Sequence, residues 1–155
     1  MVNISSVVGR VSFSFMGIYS ASKFAMEALS DALRIELRET GIGVSIVEPG
    51  PIKSKFKKHA IEKAETHLKG KKSRFEDVYQ NQMMKWESDE GAERMFTLPP
   101  ESVGKKVLHA LESVRPQTRY PVTFPAYMGS FLRRFAPDQF LDYFMWSRWK
   151  DRASR

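Results

Sequence analysis

The sequence predicts an α/β fold, a mostly parallel sheet of about three strands with flanking helices, and three runs carry that expectation. Val2 to Gly9 is a short apolar stretch that breaks into two hydroxyls, Ser5 and Ser6, before its Gly. Ala21 to Glu39 is rich in strong helix formers and contains neither Pro nor Gly. Gly43 to Glu48 is a second apolar stretch, closed by Pro49, Gly50, Pro51 and Ile52. Strand, helix and strand in that order make a βαβ unit with a right-handed crossover. Sites in such sheets lie beyond the carboxyl ends of the strands. Ser6 and Pro49-Gly50 stand at those ends, and Tyr19 begins the helix between them.

The elements follow in order. The first run reads as a buried strand ending in a loop, and the helix after it stops where Gly41 supplies a left-handed turn. Residues 1–52 are this βαβ unit. Residues 53–98 form a polar insertion with scattered large apolar residues, helical around 57–69 and 73–87. Its Phe56, Met83, Met84, Trp86, Met95 and Phe96 could cover a pocket. Pro99 and Pro100 then open another helix, being pre-set for a first turn. Val103, Val107, Leu108 and Leu111 are spaced on it for one buried face. Arg119 to Phe124 reads as a third strand, placed at a sheet edge by Pro121, so that residues 99–125 hold a helix and the last strand. The tail, 126–155, reads as two short amphipathic helices broken at Pro137. One partial domain spans 1–155.

Tyr19 and Lys23 are four residues apart and share a helix face. A phenol ordinarily ionises near pKa ~10, and a neighbouring cation favours the phenolate by roughly one to three units. Such a pair is suited to exchanging a proton near neutral pH. Three motifs stand in register: Asn3 to Ser6 with Gly9, Tyr19 with Lys23, and Pro49 to Ile52 with Ser54. In order and spacing they resemble the short-chain dehydrogenase/reductase family. The match covers most of the chain, more loosely after Ser54, which stands where Thr is more usual. Glu48 to Ile52 and Arg119 to Thr123 look most like a bacterial branch that reduces aldehydes and related carbonyls with NADPH.

The resemblance implies a Rossmann-type, doubly wound, mostly parallel sheet, of which this chain carries the C-terminal part. It implies an oxidoreductase that interconverts an alcohol and its carbonyl with NADP or NAD, NADP being favoured. Tyr19 would be the acid–base residue, and Ser6 would hydrogen-bond the carbonyl oxygen and steady its charge. Lys23 would support the phenol and grip the nicotinamide ribose. Pro49, Gly50, Ile52 and Ser54 would hold the carboxamide side of the ring. Phe13, Phe15 and Met16 fall where the family lines its substrate pocket, which implies a lipophilic aldehyde or ketone. The full-length protein is expected to be a homo-oligomer.

The family's Gly-rich turn, which cradles the cofactor pyrophosphate at a helix N-terminus, has no counterpart in these residues. Neither has its Asn-Asn-Ala-Gly strand or the Asn of its proton relay. Met1 falls where the family's fifth strand is already under way. The expectation is the C-terminal half of such an enzyme. The alternative is a non-catalytic fragment, or half of a complementing pair, that binds no cofactor alone.

Composition narrows the remaining classes. The net charge of +7 and pI of 9.7 raise the question of an anionic partner. Nine of the basic residues lie between Lys53 and Arg74. No aromatic interleaving accompanies them, so they read as a solvated face and no nucleic-acid partner is expected. The tail sets Tyr143, Phe144, Trp146 and Trp149 beside Arg133, Arg134, Arg148 and Lys150. It could make peripheral membrane contact, pack against a sister subunit or lie over the pocket. No uncharged apolar run approaches about 18 residues, and no basic segment with an apolar core opens the chain. The absence of Cys excludes disulfides and thiolate metal sites and fits a cytoplasmic protein. A Ser hydrolase would need a His beside Ser6. His59, His67 and His109 lie in the insertion or the later helix, Gly-x-Ser-x-Gly is absent, and no metal-ligand spacing is present.

Overall fold

The computed structural model describes residues 1–68, 73–81 and 95–153. Three strands, β1 (Val2–Ile4), β2 (Ser45–Glu48) and β3 (Arg119–Pro121), form one sheet in the order β1-β2-β3. Both pairings are parallel, with Asn3 opposite Ile46 and Val47 opposite Tyr120. Helix α1 (Gly17–Glu36) crosses from β1 to β2. Helix α2 (Phe56–Leu68) follows β2, residues 76–81 are also helical, and α3 (Glu101–Glu112) leads into β3. Helices α4 (Phe124–Phe135) and α5 (Asp138–Ala153) make the tail. This is a partial Rossmann-type α/β fold.

The core lies where β2 and β3 meet α3. Val47, Ala110, Tyr120 and Val122 are buried together, with Val2, Ile52, Val103 and Val107 packed on them. Each fully buried aliphatic side chain of this kind contributes about 1.5–3 kcal/mol. The Tyr120 hydroxyl stays satisfied in this apolar setting: it accepts from the Gln117 amide at 2.8 Å and meets His109 Nδ1 at 3.0 Å.

Several local expectations need correction. β2 is buried along all four residues, but β1 is not a buried strand: Ile4 is 49% exposed. Among the described residues β1 has only β2 beside it, so one of its edges is open there. Helix α1 starts at Gly17, two residues before Tyr19, and ends at Glu36; a single 3-10 turn, Arg38–Thr40, precedes Gly41, whose φ is 76°. On α3 only Val103, Val107 and Ala110 face the core. Leu108 and Leu111 are 53% and 64% exposed, because the short sheet covers only one side of that helix. β3 ends at Pro121, and Phe124 opens α4 with Pro125 in its first turn.

The tail does form two helices around Pro137, but α4 packs through its small residues. Ala126 and Gly129 are buried, Ser130 bonds into the core, and Phe124, Tyr127, Phe131 and Phe135 are exposed. The expected cover residues Met83, Met84 and Trp86 lie outside the described residues. Among those described, no helix is long and apolar enough to cross a membrane.

Candidate active site

The loop that leaves β1 is locked before the site begins. The Ser5 amide donates to Val47 O at 2.8 Å and the Val7 amide to Pro49 O at 2.8 Å, continuing the parallel ladder past the strand. Ser6 then caps a 3-10 turn, Val7–Gly9: its Oγ accepts from the Val8 amide at 3.4 Å and donates to Pro49 O at 3.2 Å. Gly9 is required by close approach. A Cβ there would stand 2.6 Å from Ser5 Oγ and 3.1 Å from Lys23 O, so α1 seats directly on this turn.

Tyr19 and Lys23 lie one turn apart on α1, with Lys23 Nζ 5.9 Å from the centre of the Tyr19 ring. Lys23 Nζ also donates to Ile4 O at 3.2 Å, two residues before Ser6. An ammonium has three donors, so this bond leaves others free to meet a ligand hydroxyl. The Tyr19 ring packs on Phe56 at 5.4 Å, at the start of α2. Contacts run from Phe56 through Tyr19 and Lys23 to Ile4 O, and two residues further along the chain Ser6 bonds to Pro49. The turn after β2 is equally constrained: a Cβ on Gly50 would fall 2.1 Å from Thr123 Oγ1. Ile52 pairs with Leu98, fixing the two ends of the insertion together. Ser54 Oγ accepts from the Phe56 amide at 3.3 Å, starting α2.

Phe13 and Phe15 are partly exposed and Met16 is half-buried. Phe15 adopts φ 63°, an uncommon conformation for a non-Gly residue. It turns its ring edge-on to Phe75 at 5.8 Å and Tyr79 at 5.3 Å, from the helical part of the insertion. Insertion and pre-helix loop therefore share an aromatic contact beside Tyr19. His109 is engaged with Tyr120, and the Ser6 hydroxyl with Pro49 and Val8, so no Ser–His pair forms among the described residues. No group of three metal-ligating side chains occurs among them either.

A partly buried ionic cluster behind the site, with Glu27 and Glu48 at its buried centre, escapes the sequence motifs. Arg119 Nη2 meets Asp31 Oδ1 and Oδ2 at 2.8 and 2.7 Å and Glu27 Oε2 at 3.2 Å. Its Nε donates to Glu27 Oε2 and also lies 3.2 Å from Glu48 Oε1, without the alignment of a hydrogen bond. Arg10 Nε is 4.0 Å from Glu48 Oε1, and Ser130 donates to Glu48 Oε2 at 3.3 Å. Burial, then Glu27 beside it, push the Glu48 carboxyl above the ordinary range against the pull of Arg10 and Arg119. Burial also works upward on Asp31, but hydrogen bonds from Arg34 and Arg119 outweigh it and leave that carboxyl low. Two signals were present in the sequence: a charge closing an apolar strand, and Tyr19, Lys23, Glu27 and Asp31 spaced by four.

The family model described as "short chain dehydrogenase" matches residues 1–65, the stretch that holds the βαβ unit. The chain is 41% identical over 142 residues to the "Uncharacterized oxidoreductase YbbO" of Escherichia coli, covering 92% of this chain and 46% of that protein. It is 34% identical over 161 residues to 17-beta-hydroxysteroid dehydrogenase type 6 of Bos taurus, covering 96% and 48%. It is 31% identical over 144 residues to an NADPH-dependent 3-dehydrocapnine reductase of Ornithobacterium rhinotracheale, covering 92% and 48%. The chain spans about half the length of the curated relatives it matches. A solved short-chain dehydrogenase from Streptomyces avermitilis shares the fold at TM-score 0.60 and 23% identity, over 99% of this chain and 52% of that one. Relatives that run nearly the whole chain, and a family model that falls on the βαβ unit itself, make the chain a member of the short-chain dehydrogenase/reductase family.

Proposed function

We propose that this chain carries the catalytic half of an NAD(P)-dependent oxidoreductase that interconverts a lipophilic aldehyde or ketone and its alcohol. The observation that carries this reading is the linked set of contacts: Lys23 one turn from Tyr19 and bonded to Ile4 O, with Ser6 bonded to Pro49 across the strand ends. The residues present suit the nicotinamide end of the cofactor. The half-exposed Lys23 ammonium has spare donors, and the backbone after Pro49 runs through a Gly that admits no side chain. When bound, the dinucleotide would supply the hydride. Tyr19 gives its phenolic proton to the substrate oxygen, and Ser6 Oγ turns from Pro49 O to donate to that same oxygen. Lys23 holds positive charge beside the phenol and orients the ribose. Phe13, Phe15 and Met16, with Phe75 and Tyr79, offer apolar surface to the substrate. NADP is the favoured cofactor, as in the 3-dehydrocapnine reductase, and the working protein is a cytoplasmic homo-oligomer.

The test is Tyr19→Phe in this chain joined to an N-terminal half of the family. Loss of turnover of at least about 100-fold with cofactor affinity within a few-fold is expected. Near-normal rates would reject the role of Tyr19. A second reading, half of a complementing pair that is inactive alone, draws on the open edge of β1 and on Ile18, 92% exposed on α1. Titration of the purified 155-residue chain with NADPH tests the second: binding by the chain alone would reject it.

A further inference from the structure

The helix face that carries Tyr19 and Lys23 continues through Glu27 and Asp31 at the same four-residue step. Glu48, fully buried, is the last residue before the Pro49-Gly50 turn, and Arg10 lies four residues beyond Ser6. The Arg119 guanidinium touches Glu27, Asp31 and Glu48, and Glu48 in turn lies beside Arg10. Thus the Tyr19 helix and the strand feeding the Pro49 turn meet around one side chain, contributed by β3, and the loop after Ser6 joins them through Glu48.

A cluster of three Arg (Arg10, Arg34, Arg119) with three carboxylates (Glu27, Asp31, Glu48) is a poor source of net stability. Well-packed apolar residues commonly do as well or better in such places. What it does supply is direction. A planar guanidinium with fixed donors admits one arrangement of its carboxylates, where apolar contacts tolerate sliding.

We propose that Arg119 is a positioning residue for the reductase site: by holding Glu27 and Asp31 of α1 against Glu48 of β2, it fixes the Tyr19–Lys23 face relative to the Pro49-Gly50 turn. The proposal rests on the oxidoreductase reading above. Its consequence is that loosening the clamp lowers the rate of the chemical step more than it weakens substrate binding, because an error near 1 Å in placing a proton donor can cost about 100-fold.

Two variants test it in this chain joined to an N-terminal half of the family, with Tyr19→Phe alongside. Arg119→Lys keeps the charge and loses the fork. The triple variant Arg119→Met, Glu27→Gln, Glu48→Gln removes the guanidinium together with the two buried carboxylates it touches, while Asp31 keeps Arg34 and Arg10, about a quarter exposed, turns to solvent. At temperatures where each variant is fully folded, kcat should fall about tenfold or more, with KM within about threefold. The pH profile of kcat should be displaced, and backbone amides of residues 19–23 and 50–52 should exchange faster with deuterium without cofactor. Folded variants that keep kcat, pH profile and local exchange overturn the proposal. So do losses that only track the folded fraction, since Arg119 would then be structural. If Tyr19→Phe stays active, the oxidoreductase reading itself fails; if it is dead while both clamp variants keep kcat, only the positioning role fails.

Discussion

β1 and β2 lie side by side in one sheet and are built to opposite standards. β2 has a neighbour on each side, all four residues buried, and a charged last residue held by two Arg and a Ser. Among the described residues β1 has one neighbour, and its Ile4 side chain is half in water. Yet Ile4 O is the acceptor that holds Lys23, and the loop after β1 supplies Ser6. The proposed site therefore straddles a fully buried strand and a partly exposed one. Its geometry is set from the β2 side, through Pro49, Gly50 and the Arg119 cluster, while the β1 side is where further chain or a partner can add.

Substitutions on the two sides should separate sharply. Arg119→Ala should be the most damaging, because it leaves Glu27 buried without its cation and Glu48 with only the more distant Arg10. The loss should be about 3 kcal/mol, the lower end for a broken buried pair, since the guanidinium is partly solvated. Urea unfolding at pH 7 measures it, and part of the loss should return on acidification as the buried Glu48 carboxyl, already raised, protonates. Gly50→Ala comes next, at about 1–3 kcal/mol, because Thr123 Oγ1 occupies the space of the new methyl. Thr123→Ala in the same molecule should recover much of that loss, and a double-mutant cycle in thermal unfolding reads the coupling.

The pH effects are smaller and opposite in sign. Glu48 has a raised folded-state pKa, so its contribution is most favourable below the ordinary Glu range and declines as pH climbs through the raised value. Asp31 has a lowered one, so its contribution is present above the ordinary Asp range and is lost as pH falls through the lowered value. Glu48→Gln should compare better with the parent at pH 7 than at pH 4, and Asp31→Asn should compare worse at pH 7 than at pH 3. Ile4→Lys, on the open edge, should change stability by no more than about 0.5 kcal/mol. Its effect should appear instead as reduced self-association in sedimentation, since a charge on an edge strand opposes pairing with another chain.

The same contrast explains what could be read from the residues alone. The βαβ unit was legible because its signals are local: apolar runs of strand length, a helix-forming stretch without breakers, and Pro and Gly at the ends. The four-residue step from Tyr19 to Lys23 belongs to a helix whatever it packs on. The exposed Leu108 and Leu111 were not legible, because spacing shows which residues share a face but not how wide a sheet will cover it. Phe124 looked like strand, yet Pro125 beside it suits the first turn of a helix. The Arg119 cluster was hidden for a deeper reason: its members come from four separate segments, and nothing at any one of them names the others.

The parallel pairing of β2 with β3 also sets an order of events. Val47 and Tyr120 are joined across on the order of 70 residues of chain, whereas β1, α1 and β2 are near neighbours in sequence. Local contacts form first and long closures late. On a ribosome, Ser6, Tyr19, Lys23 and Pro49 all emerge well before residue 119 is made. On the proposed reading, the site residues are thus synthesised early, and the clamp that would hold them in register arrives only when β3 adds to the sheet and brings its guanidinium with it.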